Sequence, residues 1–193
     1  MIQNDIKETT TAKGLTSINE YVCGRYYHAF DYILDDQDFV FEKRTEWPPQ
    51  NPINALISFG NSMCYTIVLS EIYKTYLDPR IAYLHSSDFN QFTLNLDVAQ
   101  IFMPILVDRL IFKLVNRKMI TIKDFTSFKD GIALSKDGKR KLIQELDNYL
   151  KTTVKHRQLD RSVSYRRLIR LELYKIQKHI LEEREYEPYR SFW

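Results

Sequence analysis

The chain has 193 residues, with 28 Lys or Arg against 25 Asp or Glu, and a formal net charge of +3. This length suits one domain, and the near-neutral balance means that any basic surface must come from local clustering. Thirteen Tyr and eleven Phe against five Gly predict a mainly α fold. We expect no signal peptide and no membrane span, and the two unpaired cysteines suit a reducing compartment, so the predicted location is cytoplasmic.

The first half of the chain predicts two long helices. A polar, Thr-rich segment over 1–17 predicts a frayed lead-in to one helical domain over 18–193. Helical spacing of apolar residues predicts the first helix over 18–34. The Asn-Pro pair at 51–52 is typical of a helix start, and the second helix is expected over 53–77. This second helix is apolar on nearly every side, which predicts that it is buried in the fold.

The second half predicts shorter elements, and each one follows from its own local signal. They are a short extended run over 92–96, a helix over 97–115 interrupted at Pro104, a small hairpin around 129–131, a helix over 136–151 capped by Ser135, a last helix over 162–183, and an aromatic tail over 186–193 that packs back on the body.

One acid, Glu71, lies inside the buried apolar helix, where a carboxylate is costly unless a cation or a metal pairs with it. One interpretation is a buried ion pair with Arg109 or Lys113. The other groups Glu71 with His85 and Asp97, because two oxygen donors and an imidazole suit Mg²⁺ or Mn²⁺. Taken singly, His85 is a satisfied core or loop histidine and Asp97 a helix N-cap. The residues alone leave both interpretations open.

Three stretches carry a family resemblance: PPQNPINALISFGNSMCYTIVLSEI, LDPRIAYLH and LNLDVAQIFMPILVDR. They resemble the catalytic domain of the CRISPR-associated endonuclease and integrase that acquires new spacers, and the similarity runs from about Ile18 to Trp193. The resemblance implies a helical, metal-dependent DNA endonuclease/integrase, in which the 3′-hydroxyl of a DNA fragment attacks a phosphodiester of a CRISPR repeat. It also implies a homodimer that works beside the small ferredoxin-like CRISPR adaptation partner.

The resemblance assigns roles to the polar residues. Glu71, His85 and Asp97 are the implied catalytic residues, and together with Gln100 they are the implied ligands of Mg²⁺ or Mn²⁺. Gln100 stands where the family usually has an acid, and an amide oxygen brings no charge to the metal. The alternative function is therefore a catalytically weakened or inactive DNA-binding or assembly subunit. A helical scaffold without a DNA role fits the composition but leaves the motifs unexplained.

Two further expectations follow from comparison with the family pattern. The family's N-terminal β domain, a dimerisation element, is absent from these 193 residues, so we expect weaker self-association. The segment from Lys136 to Arg190 holds fifteen Lys or Arg and nine Asp or Glu. A charge run is ordinarily a solvated face, but with the resemblance we expect contacts to DNA phosphates. The predicted nucleic-acid-binding residues are Arg166, Arg167, Arg170, Lys175 and Lys178.

Overall fold

The computed structural model describes residue 9 and residues 11–84, 92–156 and 159–191 of the chain. The fold is mainly helical, which confirms the predicted fold class. Its helices are α1 (Ala12–His28), α2 (Phe30–Ile33), α3 (Pro52–Ile72), α4 (Leu94–Met103), α5 (Arg109–Asn116), α6 (Lys136–Lys151) and α7 (Tyr165–Ile180). Its strands are β1 (Phe125–Phe128), β2 (Gly131–Leu134), β3 (Thr153–His156) and β4 (Arg161–Ser164).

Helix α1 begins earlier than the sequence pattern predicted. The side chain of Thr11 accepts a hydrogen bond from the Gly14 backbone N–H at 3.2 Å and caps the helix, so α1 starts at Ala12, inside the predicted lead-in. The chain then breaks at Ala29, and α2 follows as a single turn. The single predicted helix over 18–34 is therefore wrong. A capping threonine, which carries no apolar periodicity, sets the true start.

Helix α3 is the core of the fold and begins as predicted. Asn51 caps it by accepting from the Asn54 N–H at 3.0 Å, and Pro52 occupies its first turn. It ends at Ile72, earlier than expected, because the next residues form turns. Within the described ranges, α3 alone has the length and mean hydropathy of a membrane span, and 56% of that window is buried inside the fold.

The next helical run packs closely against α3. Helix α4 starts at Leu94, so the predicted extended run over 92–96 is wrong. The predicted interruption at Pro104 is confirmed, since a π-helical turn, Pro104–Asp108, separates α4 from α5. A Cβ atom at Gly60 on α3 would lie 2.5 Å from Cγ1 of Val107 on this turn. The glycine therefore allows the close approach of the two backbones.

The C-terminal half adds two antiparallel hairpins and two helices. The predicted hairpin is confirmed as β1–β2, with Thr126 paired to Ala133. Ser135 caps α6 by accepting from the Gly138 N–H at 3.1 Å, also as predicted. The hairpin β3–β4 was not predicted. Its second strand takes the residues before Tyr165, so the last helix is shorter than the predicted range.

The tail after α7 returns to the body of the protein over its described residues, 186–191, as predicted, and positions 192 and 193 lie outside the described residues. The ring of Tyr189 stacks on Phe102 of α4, with centroids 6.0 Å apart and planes 10° from parallel. The hydroxyl of Tyr186 donates to Glu172 Oε1 of α7 at 2.7 Å. The tail therefore contacts both α4 and α7, the two helices that carry most of the candidate site residues.

Candidate functional site

Glu71 lies in the last turn of α3 with its side chain fully buried. Its carboxylate is surrounded by cations. Oε1 accepts from Lys74 Nζ at 2.6 Å, and Oε2 accepts from Arg170, whose Nε and Nη2 each lie at 2.7 Å. Nη1 of Arg166 lies 3.7 Å from Oε1. The acid is therefore held in a network of three cations, with a two-pronged contact to Arg170.

The partners of Glu71 come from one neighbouring residue and one distant helix. Lys74 is three residues further on, at a spacing that places the two side chains side by side. Arg166 and Arg170 lie one turn apart on α7 and so share a face. Glu71 therefore does form a buried ion pair, but the predicted partners, Arg109 and Lys113, are wrong. Those residues bond elsewhere: Arg109 donates to Ser191 Oγ at 3.4 Å and Lys113 to Glu145 Oε2 at 2.6 Å.

The charges around Glu71 set its protonation state. Burial acts to raise the pKa of this carboxyl, but the hydrogen bonds from Lys74 and Arg170 outweigh burial, and the pKa lies below its ordinary value of 4.5. Glu71 is therefore ionised at neutral pH. Arg166 also lies 3.8 Å from Asp147, so three cations face two carboxylates. The site keeps an excess of positive charge, which favours anions such as a phosphodiester.

Asp97 lies in the first turn of α4, but it does not cap that helix. The N-cap position belongs to Thr93, so the interpretation of Asp97 as an N-cap is wrong. Instead, Asp97 Oδ2 accepts from the backbone N–H groups of Tyr83 at 2.7 Å and Leu84 at 3.0 Å. Asp97 thus fixes the backbone that leads directly to position 85.

His85 lies outside the described residues, so the convergence of Glu71, His85 and Asp97 stays a prediction. Among the residues that the structure describes, no three His, Cys, Asp or Glu side chains are grouped to hold a metal ion. The donor set expected from the sequence fits a divalent ion in kind, since carboxylate and amide oxygens and imidazole are its usual ligands. In the structure, the Glu71 carboxylate is compensated by cations, of which Lys74 and Arg166 are almost half exposed and Arg170 is a quarter exposed.

Gln100 and Asp97 share a cavity of about 380 Å³. Most of its wall is apolar, and it is completed by the backbone region of Tyr83, by α7 and by the tail. Besides Asp97 and Gln100, its lining includes Leu94, Val98, Ile101, Ile176 and Tyr186. Because Gln100 is neutral, this cavity holds less negative charge than a site with an acid at that position would.

The predicted basic face of α7 divides into two groups. Arg166 and Arg170 point at Glu71, and Lys175 binds Glu172 Oε2 at 2.8 Å and the Glu187 carbonyl at 3.0 Å. Arg167 and Lys178 make no ion pair within the described part of the chain. The first group is committed to internal contacts, and the second is available to a ligand.

Two site residues escaped sequence reasoning, although each left a signal. Lys74 follows Glu71 at the i,i+3 spacing of helical ion pairs. Glu172 is a lone acid among the inward-facing residues of α7, and the structure buries it to 1% exposure. Glu172 is thus, like Glu71, an acid on an apolar helix face, a pattern that indicates a buried and paired carboxylate.

Comparison with known proteins gives consistent matches along this chain. A family model described as "CRISPR associated protein Cas1" matches residues 1–148. A CRISPR-associated endonuclease Cas1 of Thermodesulfovibrio yellowstonii is 53% identical over 192 residues, which cover 100% of this chain and 58% of that protein. The chain thus spans about three fifths of that relative's length.

Solved structures agree. A CAS1 protein from Thermotoga maritima matches with a TM-score of 0.89 and 43% identity, over 95% of this chain and 56% of the other. A chain of a Cas6-RT-Cas1–Cas2 complex matches with a TM-score of 0.85 and 19% identity, over 100% of this chain and 21% of the other. This second likeness concerns the fold alone.

Proposed function

This chain belongs to the CRISPR-associated Cas1 family, and from that premise we propose that it is the catalytic part of a DNA endonuclease/integrase of spacer acquisition. Its substrates are double-stranded foreign DNA fragments and the CRISPR repeat. In its reaction the 3′-hydroxyl of the fragment attacks a phosphodiester of the repeat, a new phosphodiester forms, and the bond from phosphorus to the 3′-oxygen of the repeat strand breaks, which frees that oxygen as a hydroxyl. Hydrolysis of DNA is the same reaction with water as the nucleophile. The observation that carries the proposal is the buried, ionised Glu71, which lies among cations at the end of the core helix.

The proposed catalytic residues are Glu71, His85 and Asp97. With Gln100 they would hold Mg²⁺ or Mn²⁺, which when bound stabilises negative charge on a phosphoryl oxygen. Asp97 also orders the backbone before position 85 through its bonds to two N–H groups. The surplus positive charge around Glu71 attracts the phosphodiester.

A second candidate function follows from Gln100. Because this amide shares the cavity of Asp97, the site has one carboxylate fewer than the family pattern implies. A neutral ligand weakens divalent-ion binding, which favours a DNA-binding or assembly subunit with slow or absent strand transfer. The two functions differ in catalysis but not in DNA binding.

The proposed partners are the small CRISPR adaptation protein, Cas2, and a second copy of the chain. A fold neighbour of this chain comes from a complex that contains Cas1 and Cas2, which supports the first partner. The proposed location is the cytoplasm, where CRISPR DNA lies.

The test is cleavage of a branched DNA substrate by the 193-residue protein with Mn²⁺ and with EDTA. We expect cleavage only with the metal, and a loss of at least ~100-fold in Glu71→Gln, which keeps the side-chain shape but removes its charge. Glu145→Gln is the matched control, since Glu145 is paired to Lys113 instead. Cleavage that persists in EDTA, or in Glu71→Gln, would refute the assignment. DNA binding without cleavage would favour the second function.

A further inference from the structure

The tail over 186–190, called here the strap, is attached to α7 by one buried acid. Glu172 is 1% exposed, and its Oε1 accepts from the Tyr186 hydroxyl at 2.7 Å and from the Tyr189 backbone N–H at 2.8 Å. Lys175 Nζ lies 2.8 Å from Oε2 and compensates the charge. Burial and the bond to Glu172 raise the pKa of Tyr186, so its hydroxyl stays protonated and remains a donor.

The other attachment of the strap is to α4. Tyr189 stacks on Phe102, which follows shortly after Gln100 on the same helix. The strap therefore crosses from α7, which supplies the arginines of Glu71, to α4, which carries Asp97 and Gln100. Tyr186 is bonded to α7 and the ring of Tyr189 packs on α4, and these two contacts hold the strap in place.

The strap borders two cavities. Tyr186 lines the cavity of Asp97 and Gln100. It also lines a larger cavity, of about 570 Å³, between α7, β3 and the strap. Four side chains of this larger cavity carry basic groups: Lys155, His156, Lys175 and Arg190. The position of the Tyr186 ring thus sets the shape of the space beside Asp97.

We propose that Glu172 is a positioning residue: its carboxylate seats the strap, and the seated strap completes the cavity of Asp97 and Gln100 for the DNA substrate. This inference rests on the proposed function, because it takes DNA as the occupant. Glu172 acts through Tyr186 and Tyr189 rather than on the reacting atoms.

The test uses Tyr186→Phe, which removes one hydroxyl, and Glu172→Gln, which removes the charge. Hydrogen exchange of the strap is measured by mass spectrometry, and the affinity for a fluorescein-labelled single-stranded oligonucleotide by anisotropy in EDTA. We expect exchange in the strap to rise about tenfold, exchange in α3 to stay unchanged, and the Kd to rise at least ~3-fold. Matched controls are Glu183→Gln and Tyr32→Phe, both at exposed residues outside the strap.

The outcomes separate positioning from simple destabilisation. Partial unfolding raises the apparent Kd only by the reciprocal of the folded fraction, and unchanged exchange in α3 shows that this fraction is near one. A displaced cavity wall raises the Kd while α3 stays protected. Unchanged strap exchange, or faster exchange with an unchanged Kd, would overturn the proposal. If the unaltered protein binds and cleaves DNA while the variants match it, only this inference fails. If it binds no DNA at all, the proposed function fails with it, and the exchange data still report on the strap.

Discussion

Asp108 is the buried acid of this fold that has no cation beside it within the described residues. It lies on the π-helical turn, is 1% exposed, and its Oδ2 accepts from the Tyr26 hydroxyl at 2.8 Å, while Oδ1 has no hydrogen-bond partner in the part of the chain that the structure describes. Burial raises the pKa of Asp108 from 3.8 to about 7, although the Tyr26 hydroxyl acts to lower it. The contrast with Glu71, whose pKa is lowered, lies in the charges of their neighbours.

The raised pKa gives a pH-dependent prediction for Asp108→Asn. Between pH 3.8 and about 7 the folded state binds more protons than the unfolded state, so the free energy of unfolding falls as the pH rises through this range. The stability that Asp108 contributes in its neutral form is fully present below the range and is lost above it. Asparagine stays neutral, so we expect the variant and the wild type to have the same free energy of unfolding near pH 4. At pH 8 the free energy of unfolding of the variant should be higher by up to ~4 kcal/mol, since one pKa unit corresponds to ~1.4 kcal/mol.

Chemical denaturation at the two pH values measures this difference. Asp130→Asn, at an exposed hairpin residue, is the control for the loss of one surface charge. If the stability difference between Asp108→Asn and the wild type is the same at pH 4 and pH 8, the Asp108 carboxyl is not kept neutral by burial.

Gln100 gives the second prediction at the scale of single residues. Gln100→Glu adds a carboxylate to the cavity of Asp97, so we expect tighter Mn²⁺ binding by calorimetry and faster DNA cleavage. Gln144→Glu, on the exposed face of α6, adds the same charge elsewhere. If the wild type cleaves at full rate and Gln100→Glu brings no gain, Asp97 is the third metal ligand beside Glu71 and His85 and no acid is needed at position 100. That result would rule out the alternative of a catalytically weakened subunit.

At the scale of elements, the two groups of basic residues on α7 predict two different effects. The double substitution Arg167→Ala and Lys178→Ala removes two cations that have no ion pair in the described structure. The slope of log K against log salt concentration for duplex binding should therefore flatten by ~0.9 for each DNA phosphate that is no longer neutralised. Stability should be unchanged.

Arg170→Ala removes a partner of buried Glu71. It should lower the free energy of unfolding by about 1–3 kcal/mol, since two other cations remain.

Anisotropy titrations over a salt series and thermal melts separate these effects. The contrary result, a flattened salt slope in Arg170→Ala at unchanged stability, would mean that Arg170 binds phosphate rather than Glu71. An unchanged slope in the double variant would mean that its residues form only a solvated face.

The elements that the sequence predicted well are those with strong local signals. The cap at Asn51, the break at Pro104 and the cap at Ser135 each depend on residues within one turn. Hairpin β1–β2 was found from the Asp-Gly pair at its turn, whereas hairpin β3–β4 was missed because the residues 157–160 between its strands include no Gly or Pro.

The site was predicted less completely, for a physical reason. The burial and charge of Glu71 followed from its apolar helix, but its main partner, Arg170, is 99 positions away in the chain. Many cations compete for one acid, and only the packing of α7 against α3 decides among them. The contact of Asp97 with two backbone N–H groups has no sequence signature at all.

At the scale of the whole molecule, exposed large apolar side chains are spread along the chain, and the N-terminal helices carry several of them. No described side chain of α1 is fully buried, and Tyr21, Ile33 and Val40 are each about half exposed, while Tyr32 is 92% exposed. Exposed apolar side chains that are scattered in this way bury too little area for a tight dimer.

We therefore predict that the 193-residue protein associates with itself only weakly. Sedimentation velocity should give a monomer at about 1 µM and partial association at about 100 µM, since a contact well below standard interface size gives weak binding. Tyr32→Ser combined with Ile33→Ser should reduce that association, because both residues lie on α2 and are exposed. Tyr76→Ser with Ile81→Ser, at exposed positions after α3, is the matched control. A tight dimer at 1 µM that survives the first double variant would place the interface elsewhere, on a face that the exposed aromatic residues of α1 and α2 do not mark.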